Sequence, residues 1–229
     1  MKMVKLKRVG MVILLMTALF AIYVGVVNRN TKNMTVRQKV LKAIYPVFTS
    51  VNRLFRKNSD IITNKANAQP LQSIYSLSIQ LNDGSRLAIN DLKGKKILFV
   101  NTASDCGYTG QYAELQKLYQ QHKETLVVIG FPANDFRQQE RNSDKEIEEF
   151  CVHNYQVSFP LAAKSVVVRS PKQNDVYQWL TDKNKNGWNT RQPSWNFSKY
   201  IVNEQGVLTS YFDPAVSPLS DDLLEFARN

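Results

Sequence analysis

The sequence predicts an α/β sandwich carried behind a single N-terminal membrane-spanning helix. Three observations lead there. Residues 9–27 carry no charge; residues 96–101 (KILFVN) and 125–131 (TLVVIGF) are short apolar runs of the kind that buried strands show; and helical patterns alternate with those runs before an antiparallel hairpin and a last helix. At 229 residues and 43% apolar composition, the chain holds one core of ordinary size plus an appendage.

The opening stretch, VGMVILLMTALFAIYVGVV, follows Lys2, Lys5, Lys7 and Arg8. As a helix it is about 28 Å long at roughly 1.5 Å per residue, close to the thickness of a bilayer's hydrocarbon core. A cleaved signal peptide is the rival reading, but its apolar region runs to roughly 7–15 residues and ends at small residues. Here Asn28-Arg29-Asn30-Thr31-Lys32 follows, so residues 1–30 are read as a single-pass membrane anchor or an uncleaved signal. Basic residues flank both ends, and the positive-inside rule barely decides orientation. A first hydrophobic helix that acts as an export signal puts the following domain outside the cytoplasm, on the periplasmic side.

Residues 31–70 read as a basic amphipathic linker. Over 34–57, Val36, Val40, Ile44, Val47, Val51 and Leu54 recur at spacings of three and four with Lys and Arg between them, and Pro46 interrupts the run. Such a helix lies either on a membrane surface or packed on the domain, and both readings stay open. Residues 58–70 are polar, rich in Asn and closed by Pro70, as a linker is.

The domain is expected over 71–229. Residues 73–81 alternate as a strand does, Asp83-Gly84 marks a hairpin turn, and 86–89 return as the partner strand. After the buried strand 96–101, residues 111–122 place Tyr112, Leu115, Leu118 and Tyr119 on one helical face. The second buried strand, 125–131, leads to Ser143, which caps a helix over 144–153 with Glu146 in the capping-box position. A further helix covers 174–181, strands 199–203 and 207–212 turn about Glu204-Gln205-Gly206, and Ser220 caps a last helix over 221–228.

The formal charge of +11 suggests an acidic partner until it is located. Residues 1–65 hold thirteen Lys and Arg against the single acid Asp60, and residues 66–229 hold seventeen against eighteen acids. The domain therefore has no bulk electrostatic reason to bind nucleic acid.

The two cysteines, Cys106 and Cys151, differ in setting. Cys106 lies in Asn101-Thr-Ala-Ser-Asp-Cys106-Gly-Tyr-Thr109, between a buried strand and the start of a helix. There, unpaired backbone N–H groups and the helix dipole favour thiolate and make a nucleophile. A small buried hydrophobe is the duller alternative. There is no C-x-x-C, and His122 and His153 follow no zinc-ligand spacing, so neither dithiol exchange nor a metal site is expected.

The stretch Gly94–Thr109 closely resembles the active-site signature of glutathione peroxidases in their cysteine form. Ile129-Gly-Phe-Pro-Ala-Asn-Asp-Phe136 followed by Gln139-Glu140 is similar to that family's second motif, and Trp195-Asn196-Phe197 to its third. The resemblance spans 71–229 and does not reach residues 1–70. It implies a thioredoxin-like three-layer sandwich, a central mixed sheet with flanking helices. On that fold, Cys106, Gln139, Trp195 and Asn196 are gathered into a peroxidase site without metal or cofactor. Gln, Trp and Asn side chains offer N–H donors to a thiolate and to the leaving oxygen without adding a competing negative charge.

Cys151, in Glu148-Glu149-Phe150-Cys151, is similar in position to the resolving cysteine of family members that use thioredoxin. By that resemblance sulfenic Cys106 condenses with Cys151, with local unwinding around Cys151, and a thioredoxin-like protein or glutathione reduces the disulfide. Substrates are expected to be hydrogen peroxide and organic or lipid hydroperoxides. The short segment between Asp182 and Pro193 leaves little room for an oligomerisation loop, so a monomer is expected. The chain departs from the family's pattern at Ala133, often Cys, at Asp135, often Gln, and at Arg137, Gln138 and Arg141 around the catalytic Gln. The alternative, from another class, is a membrane-tethered binding protein whose peroxidase site is degenerate; an intact set of Cys106, Gln139, Trp195 and Asn196 argues against it.

Overall fold

A computed structural model describes residues 2–54 and 60–228. Residues 55–59, which end the helix expected over 34–57 and begin the linker expected over 58–70, lie outside the described residues.

Two runs buried along their whole length, β4 (Lys96–Thr102) and β5 (Leu126–Pro132), pair in parallel at the heart of the molecule. Their side chains alternate between two apolar clusters, as a two-fold pleat requires when both faces are covered. Leu98, Val100, Leu126 and Val128 face one cluster, and Ile97, Phe99, Val127 and Ile129 face the other. The first cluster takes in helices α3 (Gln111–His122), α4 (Asp144–Tyr155) and α7 (Asp221–Arg228). The second takes in α5 (Asp175–Thr181) and the small hairpin of β2 (Ser78–Gln80) and β3 (Arg86–Ala88). These are the three layers expected.

On the far side of β4, strands β6 (Lys199–Val202) and β7 (Leu208–Phe212) add antiparallel neighbours, so the sheet is mixed. Its order is β1-β7-β6-β4-β5. The outermost strand, β1 (Ile61–Thr63), pairs antiparallel to β7 and sits inside the stretch read as a linker. Three residues are too few to show a period. The strand expected over 73–81 is shorter than that, since Ile74–Ser76 form a 3₁₀ turn capped by Ser73. A four-residue helix, α6 (Lys183–Asn186), fills part of the segment between Asp182 and Pro193. Ser143 and Glu146 form the reciprocal capping box at the start of α4.

The N-terminal segment forms α1 (Lys2–Val27) and α2 (Val36–Leu54). Val9–Val27 of α1 is long and apolar enough to cross a membrane, and that window is unburied. Helix α2 runs through Pro46, whose carbonyl accepts the hydroxyls of Thr49 and Ser50. It meets both α1 and the domain. Tyr23 Oη donates to Ala43 O, and Asn28 Nδ2 to Lys39 O. Towards the domain, Gln38 Nε2 donates to Ser104 O at 3.2 Å, Lys42 Nζ to Asn154 O at 3.1 Å and Tyr45 Oη to Glu114 Oε1 at 3.0 Å. The gripping face is therefore built from Gln38, Lys42 and Tyr45. The valine stripe is turned outward, with Val36 79%, Val47 62% and Val51 45% exposed.

Candidate active site

The site grows from the end of β4. Asn101, the polar close of that run, is fully buried and ties down the loop 195–197 at two points. Its Nδ2 donates to Trp195 O at 3.0 Å, and its carbonyl accepts the N–H of Phe197 at 2.6 Å. Phe197 adopts φ +69 to make that bond, a left-handed conformation that costs a non-glycine residue of order 1–3 kcal/mol. The strained residue fixes the direction of its neighbours Trp195 and Asn196.

Cys106 follows in the turn beyond β4 and is 1% exposed. The Cys106 N–H donates to Thr109 Oγ1 at 3.0 Å, and the Tyr108 N–H points at Cys106 Sγ at 3.4 Å. Helix α3 begins only at Gln111, so the donor to sulfur is this turn amide and not a helix N-terminus. The direction expected for the thiol is also corrected. Burial pushes Cys106 above its ordinary value, and it outweighs the opposing effects of the Tyr108 N–H, Trp195, Asn196 and the charge of Arg37. Desolvation is a sum over the whole surrounding shell, to which a nine-residue motif is blind.

Asn196 is fully buried beside the sulfur, and its Nδ2 donates to Gln139 Oε1 at 3.0 Å. Its Oδ1 has no hydrogen-bond partner among the described residues. Trp195 is half-buried between Phe136, with ring centroids 5.5 Å apart, and the Arg137 guanidinium, 5.4 Å from the ring centre. The neighbours Gln138 and Gln139 are told apart by the backbone. Arg137 and Gln138 both take positive φ, which turns Gln138 out to solvent and Gln139 inward. The structure thus brings Cys106, Trp195, Asn196 and Gln139 together, with Gln139 joined through Asn196.

Cys151 lies on α4, fully buried beside Tyr112, and burial pushes its thiol far up. The two cysteines are not joined in a disulfide, and they belong to the same apolar cluster on separate elements. His122 is half-buried and His153 exposed.

Several residues of the site had escaped the sequence reading. Glu140 is fully buried, where it receives Ser104 N–H at 2.7 Å and Ser104 Oγ–H at 2.8 Å. Burial wins over those bonds and pushes its carboxyl up to about 7. From α2, Arg37 pairs with Asp105, and Gln38 reaches Ser104. One signal for Gln38 was in the sequence. Thr35 and Gln38 stand at capping-box spacing, and they close one, with Thr35 N–H to Gln38 Oε1 at 2.9 Å and Gln38 N–H to Thr35 Oγ1 at 3.2 Å.

The glutathione peroxidase family profile matches residues 74–181. A glutathione peroxidase-like peroxiredoxin of Schizosaccharomyces pombe is 40% identical over 149 residues, covering 65% of this chain and 93% of the relative. A hydroperoxy fatty acid reductase of Synechocystis sp. is 38% identical over 157 residues, covering 66% of this chain and 92% of the relative. Among solved structures, T. cruzi GPX1 is similar with a TM-score of 0.52 and 27% identity, over 68% of this chain and 97% of that one. The layered mixed sheet is thioredoxin-like.

Proposed function

The chain belongs to the glutathione peroxidase family and is a thiol-dependent peroxidase, and we propose that Cys106 is the residue that attacks the peroxide, within a site completed by Gln139, Trp195 and Asn196. The observation that carries this is the convergence of the Tyr108 N–H, Trp195 and Asn196 on a buried Cys106 sulfur.

In the first step the Cys106 sulfur attacks the distal oxygen of ROOH, the O–O bond breaks, and RO⁻ leaves and takes up a proton as ROH. Sulfur is oxidised by two electrons to sulfenic acid and the peroxide is reduced by two. The amide and indole N–H groups stabilise charge on sulfur and then on the departing oxygen. In the second step the Cys151 thiol attacks the sulfenic sulfur, the S–O bond breaks and water leaves, forming a Cys106–Cys151 disulfide. A thioredoxin-like dithiol, or two molecules of glutathione, returns both thiols by exchange. Because Cys151 is fully buried within α4 and pairing needs the two Cα atoms within about 7 Å, the second step is proposed to proceed with opening of the end of α4.

Substrates proposed are hydrogen peroxide and organic hydroperoxides, including those of lipids. Val9–Val27 supports a membrane anchor, and α2, hydrogen-bonded to α1, presents an outward valine stripe beside it. The relative named for hydroperoxy fatty acids favours the same substrate class. The domain is proposed to work as a monomer on the outer side of the membrane.

The test is peroxide consumption by the full chain in lipid vesicles, wild type against Cys106→Ser, with thioredoxin or glutathione regenerated in turn. Loss of consumption in the variant is expected, with the faster donor identifying the reductant. Equal consumption in both chains removes Cys106 from the reaction. A fragment beginning at residue 69 is a poor substitute, since it lacks β1 and the grip of α2 on Ser104.

A further inference from the structure

We infer that helix α2, contributed by the segment that precedes the family domain, is part of the active site: Arg37, by holding Asp105, and Gln38, by holding Ser104, position Cys106 for its attack on peroxide. The inference rests on the reading of Cys106 as the attacking residue.

The turn Ser104-Asp105-Cys106 is held on its inner side by the domain. Glu140 takes the N–H and hydroxyl of Ser104, and the Asp105 N–H donates to Gln139 O at 3.1 Å. Its outer side belongs to α2. Gln38 is 9% exposed and uses both ends of its amide: Oε1 accepts the Thr35 N–H at the start of the helix, and Nε2 donates to Ser104 O. One side chain thus fixes the start of α2 and the carbonyl two residues ahead of the nucleophile. Further along, Phe48 packs edge-on against Tyr108, ring centroids 5.5 Å apart, and the Tyr45 ring fills the space over Gly110, where an added Cβ would come within 2.3 Å.

Arg37 answers a chemical problem that the sequence creates. An acid directly before the nucleophile opposes negative charge on sulfur, yet the reaction passes through a thiolate. The Arg37 guanidinium pairs with Asp105 Oδ2 and so cancels that charge, and it also faces Cys106, where it favours the thiolate. The other Asp105 oxygen is buried without a hydrogen-bond partner among the described residues. Both Arg37 and Gln38 act through a neighbour of Cys106, which makes them positioning residues. Since α2 is also bonded to α1, the segment that bears the membrane helix reaches the catalytic turn directly.

The experiment uses the full chain in detergent micelles with Cys151→Ser, which leaves Cys106 as the remaining cysteine. Alkylation by iodoacetamide and oxidation by hydrogen peroxide, the latter trapped as the dimedone adduct of Cys106, are followed from pH 6 to 10, with a melting temperature for each chain. Arg37→Gln is expected to move the alkylation midpoint up by about 0.5–1 pH unit and to slow oxidation at pH 7 about three- to tenfold, a moderate shift because the ion pair is partly exposed. Arg37→Lys restores most of the loss by keeping the charge. Asp105→Asn placed in the Arg37→Gln chain restores it by removing the uncompensated acid. Gln38→Ala, a neutral change, slows oxidation with the midpoint unmoved. An Arg37→Gln chain with the wild-type midpoint and rate overturns the role of Arg37, as does a loss that follows the melting temperature and is not recovered in the double variant. If peroxide fails to oxidise Cys106 even with Arg37 in place, the reading of Cys106 fails instead, and the alkylation midpoint still decides whether Arg37 tunes the thiol.

Discussion

Glu140 offers the sharpest test of how the site is built. Its carboxyl is fully buried and pushed up to about 7 from an ordinary value of about 4.5, burial outweighing the two bonds from Ser104. A folded-state value above the unfolded one means that the native protein binds the proton more tightly. The associated stability is fully present below about pH 4.5 and is lost as pH rises through about 7. Each pH unit between the two values is worth about 1.4 kcal/mol, so the whole loss is about 3 kcal/mol. For a domain of this size, about 2–4 °C of melting temperature accompanies each kcal/mol, which makes the loss roughly 6–12 °C. Glu140→Gln keeps the shape and an acceptor for the Ser104 N–H but no longer titrates. Melting curves of the full chain in detergent, wild type and variant, at half-unit steps from pH 4.5 to 8, isolate this group by difference. The gap should open in favour of the variant as pH rises and flatten above about pH 8. Parallel curves for the two chains would show that the carboxyl is not held up by burial, and the account of the Ser104–Glu140 anchor would fall with it.

The remaining predictions concern the thiols and the helices that carry them. With the Cys106 thiol held above its ordinary value, its oxidation by peroxide should speed up about tenfold per pH unit from pH 6 until the thiol titrates; a flat stopped-flow profile would contradict this. Asn154 on α4 exchanges hydrogen bonds with the backbone of Lys32 at 2.9 and 3.1 Å, pinning the end of the helix that is proposed to open. Asn154→Ala is therefore expected to accelerate Cys106–Cys151 disulfide formation after a peroxide pulse by about two- to fivefold, and an unchanged or slower rate, read by mass spectrometry, would show that this end of α4 does not gate the step. Ser143→Ala removes the capping box of α4 and should lower stability by about 1 kcal/mol, a few degrees in the same melting assay.

How much of this was legible in the sequence follows from how local each feature is. Strands β4 and β5 announced themselves as continuous apolar runs, because a strand buried on both faces has no polar side to show. Helix α4 was marked by Ser143 and Glu146, whose bonds span three residues. The motif around Cys106 and the Trp195-Asn196-Phe197 triplet were recognisable as strings, and the structure brings Trp195 and Asn196 to the Cys106 sulfur.

Tertiary structure alone decided what depends on distant partners. Strand β1 exists because Ile61–Thr63 meet Phe212–Ser210, some 150 positions away in the chain, and nothing in three residues encodes that register. Helix α2 was visible as an amphipathic pattern, but the pattern left open what the helix packs on, since Gln38 and Tyr45 find their partners only where Ser104 and Glu114 are folded against them. The inward turn of Gln139 and the outward turn of Gln138 come from two left-handed residues, a backbone choice that their identities do not dictate. Above all, the direction in which the Cys106 thiol is shifted could not be read from sequence. Local amides argue for a lowered thiol, whereas the desolvation that raises it, and the Arg37 that opposes it from another helix, are sums over neighbours that only the fold assembles.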